Sequence, residues 1–194
     1  MNKFLVVTGG AGFVGSNLIK LLINKTNYKI ISIDDYSSGK KNNHINSKRV
    51  TYIIGNTINI KNLLKKYKSK IKTLFHFGEF SRIYKSFKYF NKCYQSNSIG
   101  SKEVFKFCLD NKIKLIYSAT SATLGKSGNE KNLSPYAFTK STNLELLENL
   151  KKWFNLKFEV IFFYNVYGEN QIETGEMATV IGIFQNQFRK HKPI

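Results

Sequence analysis

The sequence predicts an α/β protein with a doubly wound parallel sheet and helices on both faces. Short apolar runs alternate with helical patterns along the chain. These runs are apolar almost throughout, as strands covered on both faces of a sheet are. A glycine-rich turn joins the first run to the first helical pattern. Right-handed crossovers between parallel strands then lead to a doubly wound sheet.

The predicted elements follow from the apolar runs, which indicate strands, and from the helical periodicity between them. The apolar runs predict six strands, which cover residues 4–8, 30–34, 51–54, 73–77, 114–118 and 158–163. The helical patterns between and after them cover residues 13–25, 59–67, 97–110 and 134–153. The segment 38–48 is polar and shows neither an apolar run nor a helical periodicity, so we expect a loop there.

Length and composition bound the class of protein. The chain has 194 residues, of which 42% are hydrophobic, enough for one domain with a substantial core. No apolar run approaches the roughly 20 residues that span a bilayer, and the first ten residues lack a secretory pattern. We therefore expect a cytoplasmic protein that is not in a membrane. Cys93 and Cys108 are expected to be buried thiols, and the three scattered histidines predict no metal site.

The net charge of +19 raises the question of nucleic-acid binding. Of the 31 basic residues only Arg49, Arg82 and Arg189 are arginine. Base recognition and bidentate phosphate binding favour arginine, and the lysines here are spread along the chain. The composition therefore disfavours a nucleic-acid partner, although a positive field would attract an anionic substrate.

The glycine-rich turn is the first candidate site. Residues 7–18 read VTGGAGFVGSNL, with Gly9, Gly12 and Gly15 between the first strand and the first helix. A helix N-terminus carries unpaired N–H groups and the positive end of the helix dipole. Glycine there leaves room for a phosphate to approach the backbone. The turn predicts a pyrophosphate-binding site.

An acidic residue supports the same interpretation. Asp34 ends the second predicted strand, 19 positions beyond Gly15. A carboxylate at that place can accept hydrogen bonds from an adenosine ribose, and its charge would repel a 2′-phosphate. This favours NAD over NADP, and the nearby Lys40 and Lys41 weaken that preference without reversing it.

A second motif lies on the helix after the fifth strand. Tyr136 and Lys140 form a Y-x-x-x-K pair on one helix face, Ser134 can cap that helix, and Pro135 suits its first turn. Tyrosine ordinarily titrates near pH 10, so a base near neutrality needs its phenolate stabilised by roughly 4 kcal/mol. A lysine ammonium, an oxidised nicotinamide and the helix dipole could supply this.

Together these motifs resemble the extended short-chain dehydrogenase/reductase family, in particular its NAD-dependent nucleotide-sugar epimerases and dehydratases of the UDP-glucose 4-epimerase-like kind. The resemblance rests on TGGAGFVG, IDDYSSGKKNN, HFGEFSR, NSIG, SPYAFTK and FFYNVYG, and it covers essentially the whole chain. It implies a Rossmann NAD(P)-binding domain. NAD is the implied cofactor, and a nucleotide-diphosphate sugar is the implied substrate.

The resemblance also implies a catalytic hydroxyl beside Tyr136 and Lys140. In YSATSATLG the matching position is Thr120, with Ser121 and Ser118 as alternatives. Thr120, Ser121 and Tyr136 would then contact the sugar. Family dehydratases carry an acidic pair directly after this hydroxyl, where this chain has Ser121 and Ala122. Their absence favours epimerisation.

Further contacts are implied position by position. In this family Asn97 would have a structural or proton-relay role, and Asn165 would reach the substrate diphosphate. Asn56 stands where the family has an adenine-contacting aspartate. Glu79 replaces a small residue, which marks either a subgroup or a different substrate contact. The implied cofactor contacts are Gly9, Gly12, Phe13, Val14, Gly15, Asp34, Asn56, Thr57, Phe77, Gly78, Asn97, Tyr136, Lys140 and Phe163.

The resemblance divides the chain into a nucleotide-binding domain, residues 1–168, and the start of a substrate lobe, residues 169–194. Relatives continue beyond this point, so we expect most of that lobe to be missing, through truncation or because a partner supplies it. An exposed sheet edge and helix face would promote self-association as a homodimer.

The function predicted from the sequence is an NAD-dependent nucleotide-sugar epimerase that transiently oxidises the sugar at C4 with a Tyr136–Lys140–Thr120 site. A dehydratase or reductase of the same family remains an alternative. So does a catalytically impaired NAD-binding fragment, since cofactor binding should survive a missing lobe better than turnover does.

Overall fold

One parallel sheet organises the molecule. The computed structural model describes residues 3–124, 132–175 and 178–194. Its six strands are β1 (Phe4–Thr8), β2 (Lys29–Asp34), β3 (Val50–Ile54), β4 (Ile71–His76), β5 (Lys114–Thr120) and β6 (Phe158–Phe163). They pair in the order β3-β2-β1-β4-β5-β6, and every pair is parallel. This is the strand order of the doubly wound Rossmann fold, so the predicted fold class is confirmed.

Helices connect the strands. The two longest are α1 (Phe13–Lys25) and α6 (Pro135–Phe154), and each occupies almost the range that its periodicity predicts. The others are shorter, and they are α2 (Ile60–Leu63), α3 (Ile83–Lys88), α4 (Phe90–Tyr94), α5 (Ser101–Asp110) and α7 (Val180–Arg189). A π-helical turn, Gln95–Gly100, joins α4 to α5.

Two predicted helices differ from the structure. The helix expected over 59–67 is α-helical only from Ile60 to Leu63, and a 3₁₀ turn over Thr57–Asn59 precedes it. The helix expected over 97–110 is α-helical from Ser101, because the preceding six residues form the π-helical turn. Helices α3 and α4 were not predicted at all. Their hydrophobic pattern is misleading, since Tyr84 and Phe87 are exposed while Lys85 and Ser86 are buried.

The hydrophobic core lies on both faces of the sheet. One cluster includes Val6, Ile31, Leu74, Leu115 and Leu147. The cluster on the other face packs β1 and β2 side chains against α1. Burying both faces explains why the strands are apolar almost throughout. Both cysteine thiols are buried and free, as predicted.

The segment after β6 returns to α1. Asn17 Nδ2 donates to the Glu169 carbonyl at 2.7 Å, and Lys20 forms an ion pair with the Glu169 carboxylate at 2.6 Å. Asn170 Nδ2 lies 3.3 Å from Ser16 Oγ. These contacts hold the segment beside the start of the first helix.

Among the described residues, we find no helix with the length and apolar character that a bilayer crossing requires.

Candidate functional site

A cavity of about 1160 Å³ lies at the carboxyl ends of the strands. All six strands contribute to its wall at or just after their last residue. The contributing residues, in the order of the strands, are Gly9, Asp34, Asn56, Phe77, Thr120 and Phe163. In doubly wound sheets this edge is where ligands bind, beside the point at which the strand order reverses. Here that point lies between β1 and β4.

The glycine turn forms one end of the cavity. Gly9 has a φ of +70°, which favours glycine, and a Cβ there would lie 2.8 Å from the Gly78 backbone. A Cβ on Gly15 would lie 2.1 Å from the Gly9 carbonyl oxygen, so the helix can pack this closely only without one. Gly12 is the N-cap of α1 and offers no side chain to cap its first turn. The predicted turn therefore leaves backbone N–H groups at the cavity edge.

Asp34 lies beside the turn with its carboxylate fixed by two backbone donors. Oδ2 accepts from the Ala11 N–H at 2.9 Å and Oδ1 from the Tyr36 N–H at 2.8 Å. The residue is only 9% exposed, and burial raises the pKa of this carboxyl while the two N–H groups oppose the rise. Each oxygen keeps a lone pair with which it can accept a ligand hydroxyl.

The adjoining wall carries Asp35, a residue that the sequence analysis missed, beside the predicted Asn56. Asn56 Nδ2 donates to the Asp35 carboxylate at 3.1 Å, and its Oδ1 caps the 3₁₀ turn through the Ile58 N–H at 3.0 Å. One N–H of the Asn56 amide stays available for an adenine ring. Asp35 and Thr57 also line the cavity. The doubled acid at the end of β2 was the available signal for Asp35.

The cavity floor is formed by the backbone after β4. The N–H groups of Phe77 and Gly78 both donate to Thr8 Oγ1, at 3.1 and 3.0 Å. The Phe77 ring meets the Phe163 ring edge to face, with centroids 5.6 Å apart. This contact joins the ends of β4 and β6 across β5. Phe13, Val14 and Phe163 line the cavity, as their predicted cofactor contacts require.

Helix α6 brings the predicted catalytic pair to the same cavity. Ser134 Oγ accepts from the Ala137 N–H at 3.0 Å, and Pro135 is the first helical residue, so the predicted cap is confirmed. Tyr136 and Lys140 lie one turn apart and both line the cavity, 8% and 3% exposed. The pair is therefore largely enclosed by protein.

The Lys140 ammonium is bound to a carboxylate. It forms an ion pair with Glu79 Oε2, in which the two side chains are 4% and 2% exposed. It also donates to the Ser118 carbonyl at 2.6 Å, and its Nζ lies 4.9 Å from the centroid of the Tyr117 ring. A contact between Lys140 and a carboxylate was not predicted. The sequence left two interpretations of Glu79, a subgroup or a different substrate contact, and neither of them included this ion pair within the protein.

Hydrogen bonds continue from Glu79 into the core. Glu79 Oε1 accepts from Ser101 Oγ at 2.6 Å, from Tyr117 Oη at 3.1 Å and from Asn143 Nδ2 at 3.2 Å. Ser101 Oγ lies 2.9 Å from His76 Nε2. Burial lowers the pKa of His76 to about 4, and burial likewise raises the pKa of Tyr117 well above its ordinary value.

The candidate catalytic hydroxyls lie at the end of β5. Thr120 and Ser121 both line the cavity. Thr120 Oγ1 accepts from the Ala122 N–H at 3.3 Å and leaves its proton free for another acceptor. Ser118 Oγ donates to the His76 carbonyl at 3.0 Å and lies 3.4 Å from Lys140 Nζ. Ser118 is therefore engaged with protein groups, and Thr120 keeps the donor that its predicted role needs.

Two further predicted residues lie in different surroundings. Asn97 is fully buried and is not among the residues that line the cavity, and its amide binds the Phe80 N–H at 2.7 Å and the Phe80 carbonyl at 3.0 Å. These contacts fit the structural role expected for Asn97, and a direct cofactor contact stays a prediction without support from this position. Asn165 is exposed and lines the cavity, where a substrate diphosphate could reach it.

Arg82 is a second cavity residue for which the sequence analysis gave no role. It lies just before α3, and burial lowers the pKa of its guanidinium while Tyr136 opposes that shift. Its place in HFGEFSR was the available signal, because that motif runs from the cavity floor. The described part of the chain brings no three His, Cys, Asp or Glu side chains together as a metal site would need.

Comparison with known proteins agrees with this geometry. The model of the NAD dependent epimerase/dehydratase family matches residues 5–194. An ADP-L-glycero-D-manno-heptose-6-epimerase from Brachyspira hyodysenteriae is 32% identical, over 95% of this chain and 61% of its own length. The chain thus spans about three-fifths of that relative.

Two solved structures are similar along nearly the whole chain. A UDP-N-acetylglucosamine 4-epimerase from Methanobrevibacter ruminantium, in complex with UDP-N-acetylmuramic acid, is 29% identical with a TM-score of 0.88. A UDP-glucose 4-epimerase from Thermotoga maritima, with UDP-glucose, is 25% identical with a TM-score of 0.87. Each match covers 98% of this chain and 64% of the other. With the family match over residues 5–194, these findings establish that the chain belongs to the NAD-dependent epimerase/dehydratase family.

Proposed function

We propose that the cavity binds NAD and a nucleotide-diphosphate sugar, and that the protein is an epimerase that inverts the sugar at C4. The observation that carries this proposal is the convergence of Tyr136, Lys140 and Thr120 on the cavity that the glycine turn and Asp34 also line. These groups come from α6, from the ends of β5 and β2 and from the turn after β1. Acid–base catalysis beside a dinucleotide needs them on one surface.

The cofactor end of the cavity fits a dinucleotide. The N–H groups at Phe13, Val14 and Gly15 begin a helix beside the uncapped Gly12, which is the arrangement that holds a pyrophosphate. The Asp34 carboxylate would accept from the adenosine ribose and repel a 2′-phosphate, which favours NAD over NADP. NAD, when bound, would supply a hydride acceptor that can also return the hydride.

The catalytic end supplies proton transfer. In its phenolate form Tyr136 would take the proton from the C4 hydroxyl of the sugar, as that carbon is oxidised to a ketone. Thr120 would donate its free hydroxyl proton to the same oxygen and orient it, and Lys140 would hold a cofactor ribose. Tyr136 would return its proton after the ketone has turned over, so the site ends in its starting state.

Epimerisation is favoured over loss of water. Elimination needs a carboxylic acid at the substrate, and the residues after Thr120 that line this part of the cavity are Ser121 and Ala122. Glu79 is the nearby carboxylate, but it is 2% exposed and engaged by five side chains of the protein. It is poorly placed to protonate a leaving hydroxyl.

A second candidate is epimerisation at C6 of an ADP-activated heptose. The observation that favours it is the 32% identity to a protein with that name. The same Tyr136, Thr120 and Lys140 would act, with the sugar shifted in the cavity. Substrate panels separate the two candidates, because each reaction gives a distinct epimer.

The test begins with mass spectrometry of the purified protein for a retained dinucleotide, followed by product analysis with UDP-, ADP- and dTDP-sugars. We expect bound NAD and a sugar epimer without net NADH. Tyr136→Phe should lower turnover by about 10²–10⁴-fold and change the Kd for NAD far less, because it removes only one hydroxyl among many cofactor contacts. The exposed Tyr164, which also lines the cavity, gives the matched control Tyr164→Phe.

Other outcomes identify the alternatives. Loss of water identifies a dehydratase, and net NADH identifies an oxidoreductase. NAD binding without turnover on any sugar contradicts the proposed activity and identifies a nucleotide-binding protein.

We also propose that the protein self-associates, since Ile161 and Phe162 are exposed on the edge strand β6. Sedimentation velocity gives its mass in solution.

A further inference from the structure

Glu79 is the feature that the proposed function leaves unexplained. It lies just after β4, its side chain is 2% exposed, and Oε2 is bound to the ammonium of Lys140 on α6. We propose that Glu79 is a positioning residue, which holds Lys140 charged and directs one of its N–H donors into the cavity, toward a ribose of the cofactor. This inference deepens the proposed function and rests on it.

The surroundings of Glu79 require a carboxylate. Oε1 faces three donor groups, from Ser101, Tyr117 and Asn143, and Oε2 faces Lys140 and Ser118. Both oxygens must therefore accept. An amide has one accepting oxygen and one donating nitrogen, so glutamine could satisfy only one of the two sets. The position is thus built for a charged acceptor.

The donors of Lys140 are unequally engaged. An ammonium has three N–H donors. One is bound to Glu79 Oε2, and a second to the Ser118 carbonyl at 2.6 Å. The third has only Ser118 Oγ, at 3.4 Å, which is a weak contact. Because two donors are fixed by the protein, the direction of the third is fixed as well, and it is the one that a ribose hydroxyl can take.

Three buried titratable groups around the ion pair, from β4, β5 and α4, are neutral near pH 7. From β4, His76 has a pKa lowered to about 4 by burial. From β5 and α4, Tyr117 and Cys93 have pKa values that burial raises above their ordinary values. Tyr136 faces the pair from the same helix as Lys140, and Arg82 interacts electrostatically with Tyr136. The Glu79 carboxylate is therefore the counter-charge of Lys140.

A buried ammonium that has no counter-charge loses its proton several pH units earlier than an exposed one. Without the Glu79 charge, Lys140 would stop donating to the nucleotide at a lower pH. If Glu79 had a purely structural role, its loss would weaken the fold or the affinity for NAD by the same factor at every pH.

The experiment is calorimetric titration of NAD into the protein between pH 6 and 10, without any sugar. The variants are Glu79→Gln, Glu79→Asp and Lys140→Met, with Glu148→Gln as the matched control, because Glu148 is an exposed acid on the same helix as Lys140 and lies outside the cavity lining. In Glu79→Gln we expect the Kd for NAD to rise roughly tenfold or more between pH 7 and 9, as one charge-assisted hydrogen bond is lost. The Kd of the wild type, Glu79→Asp and Glu148→Gln should change little over that range. Lys140→Met should bind NAD weakly, with a Kd that does not depend on pH over that range.

The outcomes separate the two proposals. If the wild type does not bind NAD, the proposed function fails and this inference fails with it. If the wild type binds and Glu79→Gln follows the same pH dependence, only the inference is overturned. Should Glu79→Gln not fold, the double variant Glu79→Met/Lys140→Met must fold, because it removes the stranded charge. A double variant that also stays unfolded contradicts the inference.

Discussion

The Thr8 hydroxyl lies 2.8 Å from Nδ1 of the fully buried His76. Thr8 Oγ1 already accepts from the N–H groups of Phe77 and Gly78, so its own proton points to Nδ1. We therefore assign the His76 proton to Nε2, which donates to Ser101 Oγ at 2.9 Å. The core of the site is built around a neutral imidazole in one tautomer.

This neutral imidazole should make stability depend on pH. The pKa of His76 falls from 6.5 to about 4 in the folded protein. The unfolded state therefore takes up the proton first, and the contribution of His76 is complete above pH 6.5 and is lost as the pH falls toward 4. The loss amounts to roughly 3 kcal/mol in the free energy of unfolding.

Urea unfolding at several pH values checks this prediction. His76→Gln should lower stability at pH 7 by about 1–3 kcal/mol, because buried partners lose their hydrogen bonds. It should also flatten the fall between pH 6.5 and 4. His191→Gln, at an exposed position, is the control and should follow the wild type. A His76→Gln protein with the wild-type slope would refute the assignment of a neutral His76.

The glycines of the turn should respond differently to the same change. In Gly15→Ala the new methyl would lie 2.1 Å from the Gly9 carbonyl oxygen, and backbone must move to admit it. We expect a loss of about 1–3 kcal/mol in the free energy of unfolding. In Gly12→Ala the nearest contact is 3.2 Å, so the fold should persist while NAD binding weakens about tenfold or more.

Thermal unfolding and NAD titration of both variants decide between a packing role and a binding role. Equal stability losses in the two variants would contradict the separate roles given to Gly12 and Gly15. Unchanged NAD affinity in Gly12→Ala would show that phosphate does not approach the first turn of α1.

Asp34 should control which dinucleotide binds. Asp34→Asn removes the charge that repels a 2′-phosphate, and we expect the NADP-to-NAD affinity ratio to rise about tenfold or more. Asp110→Asn, at an exposed acid outside the cavity lining, is the matched control and should keep the wild-type ratio. Isothermal titration with both dinucleotides measures the ratio, and equal ratios in all three proteins would remove Asp34 from the ribose site.

Burial also gives Asp34 a pH signature. Because its pKa is raised, the carboxylate takes up a proton at a higher pH than an exposed aspartate does. As the pH is lowered, the NAD affinity of the wild type should therefore begin to fall at a higher pH than it would if an exposed aspartate were responsible. Asp34→Asn should lose this acid-side dependence, and a persistent dependence would assign it to another group.

The choice among the hydroxyls at the end of β5 can be tested directly. Thr120→Val keeps the shape but removes the hydroxyl, and we expect turnover to fall about 10²-fold or more, with Thr120→Ser restoring most of it. Ser121→Ala should have a smaller effect. If Ser121→Ala is the more damaging change, the catalytic hydroxyl has been placed one residue too early. NAD titration of each variant distinguishes a loss of turnover in a folded protein from a loss of folding.

The parts predicted well from the sequence are those with local causes. The range of α1 was predicted to the residue, and all six strands end within two residues of their predicted limits at the site. Buried strands and an amphipathic helix impose their periods directly on the sequence. Helices α3 and α4 were missed because their aromatic side chains, such as Phe87 and Phe90, are exposed, which reverses the usual pattern.

The sequence by itself determined the fold class, the glycine turn, Asp34 and the Tyr136–Lys140 spacing, because each lies within one element or one turn. Only the tertiary structure decided that Lys140 is bound to Glu79, 61 positions earlier in the chain. The carboxyl ends of β4 and β5 lie side by side in the sheet, and that adjacency brings the acid to the helix after β5. Such a pairing depends on strand order, which no local periodicity encodes.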